Sequence, residues 1–285
     1  MSGNILVLGG SQFVGPAFIR LLQSKKYSVS VLNRGSKPVE GTTQLIADRN
    51  DKAAMQQHAG THYDAVIDLS CYNAPQAQIA WETFSEDADR WVYLSTIAVY
   101  EDTPLPTEEA GIESAAYWGG YGKGKAAADA YVLGQSGPPL VILRPPYLYG
   151  PENHIDRERF VWRHALAGKP IAIPGDGTAL VQFLHIEDLA TALFLAMTTE
   201  NLTYNVFNVA GKEQMTLKEY VTRLCAIAGT EDLGVLGSDA SDFPFGDYPC
   251  SENTDRIRKE LGWEQRYSFD EGFTQTFAAI RSDLT

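Results

Sequence analysis

ILVLGGSQFVG, residues 5–15, decides how the rest of this chain is read. Ile5, Leu6, Val7 and Leu8 form an apolar run without polar alternation, which predicts a parallel strand buried on both faces. Gly9 and Gly10 end the run at once. Past Gly15, the residues Ala17, Phe18, Ile19, Leu21 and Leu22 share one face of a helix that begins near Val14. Strand, glycine turn and helix together make a dinucleotide-binding layout. The glycines permit the tight turn, and the helix N-terminus offers free N–H groups and a positive dipole end to a pyrophosphate. Gly9, Gly10, Ser11, Gln12, Phe13, Val14 and Gly15 are therefore candidate cofactor contacts. Counting from Gly10, Gln12 stands where the pattern G-x-G-x-x-G has its middle glycine, the one that lets backbone approach the phosphates. A tight strand-to-helix turn needs glycine on steric grounds alone, so the motif gains its weight only from the rest of the chain.

Outward from this turn, apolar runs and helical patterns alternate. Residues 28–32 (SVSVL) read as a strand, with Asn33 and Arg34 just past its end, where this layout meets the adenosine ribose. An acidic residue there would bind the ribose 2′-OH, whereas an arginine accommodates a 2′-phosphate, so the site favours NADP over NAD. Leu45 and Ile46 mark a third strand before the polar cluster Asp48, Arg49, Asn50 and Asp51, which reads as a helix cap, with Asp48 also a candidate cofactor contact. Residues 64–69 (DAVIDL) and 91–94 (WVYL) are buried strands. Leu69, Ser70 and Cys71 close the first and Ser95 and Thr96 the second, at the edge where open α/β sheets bind ligands. Residues 140–143 (LVIL) form another strand, ended by Arg144 and Pro145.

The implied fold class is α/β: a Rossmann-type, doubly wound parallel sheet with a smaller C-terminal α/β domain. Residues 1–150 form the dinucleotide-binding domain, joined by a late strand near 204–209. Residues 151–285 are mainly substrate-binding, with 151–182 read as loop and helix. Residues 101–113 are a loop in which Glu108, Glu109 and Glu113 make a solvated face. Thr216 with Glu219 three residues later forms a capping box for another helix.

With 44% hydrophobic and 21% charged residues, the 285-residue chain has the composition of a soluble globular enzyme. No apolar run is long enough to span a bilayer, and the N-terminal strand lacks a leading basic region, so the reading is cytoplasmic with no membrane contact. Cys71, Cys225 and Cys250 are scattered, with no histidine at ligand spacing, so neither a disulfide frame nor a metal site is expected. A formal net charge of −13 repels nucleic acid, and no long basic run offsets it.

Chemistry gathers in AAYWGGYGKGKAAADAYVL, residues 115–133, a helix on which Tyr121 and Lys125, four apart, share a face. Gly122 and Gly124 each cost a helix interior about 1 kcal/mol relative to alanine, so something other than propensity holds that turn. A tyrosine near pKa 10 is a poor base at neutral pH, and a lysine ammonium beside it lowers that value. Thr96 adds a hydroxyl for the same substrate oxygen. The three would move a proton on or off a hydroxyl while a nicotinamide exchanges hydride with its carbon. Each residue alone is commonplace. Their order behind a glycine turn is not.

At this point the chain resembles the extended short-chain dehydrogenase/reductases, also called the NAD-dependent epimerase/dehydratase family. The resemblance is carried by LGGSQFVG, LSTIAVY with Thr96, Tyr121-x-x-x-Lys125, LRPPYLYGP, IPGDG, HIEDLA, DRIRKELGW and YSFDEGF, which together run along nearly the whole chain. It implies a Thr96–Tyr121–Lys125 triad, with Lys125 also on the nicotinamide ribose, an NAD(P) cofactor, and a nucleotide sugar held between the sheet and the small domain. It further implies UDP-glucose 4-epimerase-like chemistry or reduction at a secondary alcohol or ketone, and a homodimer is compatible with it. RPPYLYGPEN, GKPIAIPGDGTALVQFLHIEDLA and NRG are most similar to an atypical branch that includes the chloroplast stem-loop RNA-binding proteins, in which Tyr and Lys are often eroded. A non-catalytic cofactor-binding or RNA-binding protein on the same fold is the rival. This chain departs from the family pattern at Gln12, at Val181 and Gln182 where Arg-Asp often stands near the sugar-nucleotide phosphates, and at Tyr147 in place of asparagine. Ile97 and Ala98 occupy the places where the family's dehydratases keep an acid and a base.

Overall fold

The structure, a computed structural model, describes residues 3–237 and 240–284. In chain order, β1 (Asn4–Leu8) leads through α1 (Val14–Ser24) to β2 (Ser28–Asn33) and β3 (Thr43–Ile46). The short α2 (Lys52–Gln56) precedes β4 (Ala65–Asp68), α3 (Ala74–Phe84) and β5 (Trp91–Leu94). After the 101–113 loop come α4 (Gly119–Leu133), β6 (Leu140–Arg144), β7 (Tyr147–Tyr149), α5 (Glu158–Leu166), β8 (Ile171–Ile173) and β9 (Leu180–His185). The chain finishes with α6 (Ile186–Thr198), β10 (Val206–Asn208), β11 (Gln214–Thr216), α7 (Leu217–Ala228), β12 (Gly234–Leu236), α8 (Asp255–Leu261) and α9 (Phe269–Ile280).

Seven strands form one sheet in the order β10-β6-β5-β4-β1-β2-β3, with every neighbouring pair parallel. The order reverses beside β1. Leu8 is level with Leu32 on one side and Asp68 on the other, so the chain leaves β1, β2 and β4 at one edge. Ile5, Leu6, Val7 and Leu8 are each at most 1% exposed, which is why their run lacks polar alternation. Phe18 and Leu22 of α1 pack with Leu189 and Leu193 of α6 on one face of the sheet. Phe84 of α3 and Val132 of α4 cover the other. A further core of aromatic side chains, including Tyr149, Trp162, Phe183, Tyr220 and Phe273, fills the C-terminal part. Tyr149 and Phe273 stack there with ring centroids 3.9 Å apart.

The later half is more regular than its sequence implies. Within 151–182, read above as loop and helix, β8 and β9 are strands: β8 pairs with β12, and β9 with β7 and β11. β8 is three residues long between Pro170 and Pro174, and both strands pair with partners distant in sequence, as with Tyr147 against Phe183. Local pattern therefore carries little of their signal. The 101–113 loop also departs from its reading. Glu108 is not on a solvated face: its side chain is 2% exposed, and it accepts from the Asn208 N–H at 3.0 Å because the loop folds back over the open end of β10. Glu109 stays exposed and pairs with Arg256. The capping box of Thr216 and Glu219 is present at the start of α7. All three cysteines are free and buried.

Gly122 and Gly124 in α4 are explained by close approach. A Cβ on Gly122 would lie 2.1 Å from Ser114 Oγ, and one on Gly124 would lie 2.5 Å from the Tyr72 carbonyl oxygen. Contact with the 72 and 114 segments holds this turn and sets Tyr121 at the sheet edge.

Candidate active site

A cleft of about 740 Å3 opens at the C-terminal ends of the parallel strands, and every residue singled out above for the cofactor or for catalysis lines it. At the phosphate turn, Gly10 has φ 83°, and a Cβ on Gly15 would come within 2.1 Å of the Gly10 carbonyl oxygen. This contact brings α1 hard against the turn. Phe13 caps α1 at φ 49° with no side-chain hydrogen bond, and no acidic residue stands in the first turn, so the leading N–H groups have no carboxylate competitor. Its buried ring meets His154 edge-on at 6.1 Å. Gln12 is exposed where the pattern has glycine.

At the other end, Asn33 Oδ1 accepts from the Gly35 N–H at 2.7 Å and from Gln44 Nε2 at 3.0 Å. Its Nδ2 is buried with no partner among the described residues. Arg34 stands exposed beside it and lines the cleft. Asp48 accepts from the Asn50 backbone and side-chain nitrogens, which lower its pKa with help from Arg34. The cap of α2 is Asp51, whose carboxylate accepts from the Ala54 N–H at 3.1 Å. Arg49 is a site residue that the sequence reading passes over as part of a cap. It forks onto both oxygens of buried Asp68 at 2.8 and 2.9 Å and donates to Ser70 Oγ, tying the segment after β3 to the end of β4. An aspartate inside the apolar stretch DAVIDL is its sequence signal, since a buried carboxylate demands a partner.

The middle of the cleft rests on a buried network. Ser95 Oγ donates to Asp129 at 2.5 Å, Arg144 bonds the same carboxylate at 2.9 Å, and Arg144 also donates to the Tyr100 hydroxyl at 3.0 Å. Above it, Thr96 Oγ1 accepts from the Ala98 N–H at 3.3 Å, and Thr96 lines the cleft together with Tyr121. Lys125 lies beneath, 3% exposed, donating to the carbonyls of Cys71 at 2.8 Å and Leu94 at 2.7 Å. Two of its three N–H groups are thus engaged.

This geometry corrects the electrostatic part of the reading. Burial raises the Tyr121 pKa, against the hydrogen bond from Thr96 and the charge of Arg157. The ring is 47% exposed to the open cleft, so water softens that shift without reversing it. Lys125 is not among the groups that lower the phenol; its ammonium donates to two carbonyls, and burial pulls its own value below the usual lysine value, opposed by Asp129. Cys71 is pushed up to about 11 by burial and stays a thiol.

The remaining wall comes from Trp118, Tyr147, Ile155, Arg157 and Cys250. Only Tyr147, which stands where the family pattern has asparagine, is marked by its sequence; the others are not, because the wall is assembled from segments far apart in the chain. His185 is not part of this cleft; it is buried, caps α6 through the Glu187 N–H, and has its pKa lowered to about 4 by burial.

Residues 5–210 match the family model described as NAD dependent epimerase/dehydratase family. The chain belongs to this family. It is 25% identical over 302 residues to the chloroplast stem-loop binding protein of 41 kDa b of Arabidopsis thaliana, covering 96% of this chain and 78% of that protein. In fold it is similar to UDP-glucose 4-epimerase of Thermotoga maritima solved with UDP-glucose, at TM-score 0.83 and 21% identity over 99% of this chain and all (100%) of that one. It is also similar to dTDP-glucose 4,6-dehydratase of Bacillus anthracis solved with NAD, at TM-score 0.81 and 21% identity over 99% and 97% of the two chains. The cleft fits the family's cofactor: Gly15 packs directly on Gly10, holding the N-terminus of α1 at the turn, and Asn33 Nδ2 is a buried donor in want of an acceptor. Among the described residues, no helix is long and apolar enough to cross a membrane.

Proposed function

We propose that this family member is a nicotinamide-dependent epimerase or reductase acting at a secondary alcohol or ketone of a nucleotide sugar. The observation that carries the reading is that Thr96, Tyr121 and Lys125 line the same cleft as the glycine turn. When bound, the nicotinamide supplies the hydride acceptor or donor for the carbon that bears the reacting oxygen. Tyr121 holds its proton at neutral pH, because burial raises its pKa, and gives that proton to a ketone oxygen on reduction. In the oxidative direction it must first lose that proton, so the alcohol is deprotonated more readily as pH rises. Thr96 fixes the same oxygen by a hydrogen bond. Lys125 has one N–H left for a ribose hydroxyl or for the tyrosine side of the cleft.

Elimination of water is not part of this reading. It needs an additional acid and base, and the residues after Thr96 are the buried Ile97 and Ala98, neither able to move a proton. Residues 1–150 and β10 carry the cofactor, and the aromatic-rich remainder of 151–285 carries the substrate. At the ribose, Asn33 and Arg34 support NADP at least as well as NAD, since no carboxylate opposes a 2′-phosphate and the guanidinium can hold it. The similarity to a stem-loop binding protein favours a second reading, RNA binding, which a net charge of −13 opposes. Tight binding of a stem-loop at physiological salt would support it.

The test is turnover of UDP- and dTDP-sugars with either cofactor, monitored by nicotinamide absorbance and product epimer. Tyr121→Phe should abolish turnover and keep cofactor binding. Retention of most of kcat would end the proton-transfer role. Arg34→Ala should weaken NADP by about 1–3 kcal/mol and leave NAD little changed. Equal loss for both cofactors would remove Arg34 from the 2′-phosphate.

A further inference from the structure

Four basic side chains line the cleft, and three are accounted for. Arg49 is forked onto Asp68, Lys125 is held by two carbonyls, and Arg34 lies at the ribose end. Arg157 remains. Its guanidinium packs over the Tyr147 ring at 4.7 Å and near the Phe245 ring at 5.9 Å, on the substrate side of Tyr121. Ring stacking uses the flat face of a guanidinium and leaves its N–H edge free.

The acidic residues nearest in sequence are all engaged elsewhere. Glu152 pairs with Arg20, Asp156 pairs with Arg163, and Glu158 turns into the core to accept from Asn153 Nδ2 at 3.0 and 3.2 Å. No carboxylate and no hydrogen-bond acceptor meets the Arg157 side chain among the described residues. A partly buried guanidinium fixed by aromatic rings but lacking a counter-ion is an incomplete site, because its desolvated N–H groups gain most from an anion. The two places where the family pattern often has Arg-Asp offer no substitute. Val181 is buried, and Gln182 is buried with its amide donating to the Gly211 carbonyl and its oxygen accepting from the Glu252 N–H.

We infer that Arg157 is the residue that reads an anionic group on the substrate, carboxylate or phosphoryl oxygens, and so sets which substrates reach Tyr121. The inference deepens the reading of this cleft as a nucleotide-sugar site and rests on it for the identity of the substrate, but not for the recognition of an anion. A planar guanidinium held against two rings and without a hydrogen-bond partner among the described residues matches two oxygens of one acidic group, where a neutral hydroxyl would satisfy one N–H at most.

Two measurements test it on the full chain. In calorimetric titrations of the cofactor-loaded protein, Arg157→Gln should weaken an anionic probe by at least about tenfold, the scale of lost charge-assisted hydrogen bonds. If the sugar acid is what Arg157 reads, UDP-glucuronate loses that factor and UDP-glucose does not. If it is the diphosphate, UDP-glucose, UDP-glucuronate and UDP all lose it alike. Unchanged cofactor affinity shows the variant is folded. In the second measurement, modification of Arg157 by phenylglyoxal is tracked by peptide mass spectrometry. Glucuronate or inorganic phosphate should slow it, and glucose should not. Protection by these small anions in a protein that binds no nucleotide sugar would discard the proposed substrate and keep the role of Arg157. Wild-type affinities in Arg157→Gln would overturn the inference, as would labelling indifferent to both anions.

Discussion

Replacing Glu158 with glutamine should make the protein more stable above neutral pH and remove much of the pH dependence of its stability. Glu158 opens α5 beside Arg157 and is 1% exposed. Burial raises its carboxyl from the ordinary 4.5 to about 7, although hydrogen bonds from Asn153 oppose the rise. A folded-state value above the unfolded one means that the folded chain holds this proton more tightly. Below 4.5 both states are protonated and the contribution is fully present; it falls as pH climbs from 4.5 to about 7, and above that it is constant. Each unit is worth about 1.4 kcal/mol, so the interval from 4.5 to about 7 corresponds to about 3 kcal/mol of stability lost on the alkaline side. Glutamine keeps an oxygen to accept from Asn153 and never ionises. Urea unfolding of both proteins across that window isolates the difference, since other titrating groups are common to the two. The glutamine variant should lead by a margin that grows with pH and then levels off. Parallel curves, or a glutamine variant weaker at alkaline pH, would show that the buried carboxylate is stabilised by something other than its protonation.

Three further outcomes are expected of the same structure. Gly15→Ala places a methyl 2.1 Å from the backbone oxygen of Gly10, and should cost about 1–3 kcal/mol or more in unfolding free energy as well as weakening cofactor binding. Unchanged values in both thermal unfolding and cofactor titration would contradict it. Asp129→Ala strands buried Arg144 and the Ser95 hydroxyl, for an expected loss of about 3–5 kcal/mol. The double variant Asp129→Leu with Arg144→Met should lose clearly less than the single one, and the idea fails if the two losses simply add. For Tyr121, kcat/KM for alcohol oxidation should climb about tenfold per pH unit through the neutral range while ketone reduction stays flat, and a flat oxidative profile would show that another group is the base.

Sequence alone determined the sheet and the cofactor turn, because the forces that make them act locally. Four apolar residues in a row can be buried only between two layers, and Gly10 and Gly15 are required by contacts inside one strand-turn-helix unit. The i to i+4 spacing of Tyr121 and Lys125 is equally local, as is the capping box at Thr216. Tertiary structure decided what those groups feel. The state of Tyr121 depends on burial, against Thr96 and Arg157, and the ammonium of Lys125 is taken by carbonyls of Cys71 and Leu94, none of which its own helix supplies. The same holds for Glu108, drawn out of solvent by the open end of β10, and for the three-residue strand β7, which exists because it pairs with β9. Helix and turn patterns are written in neighbouring residues. Desolvation and charge pairing depend on which atoms lie within a few ångströms, and that is set only when distant segments pack.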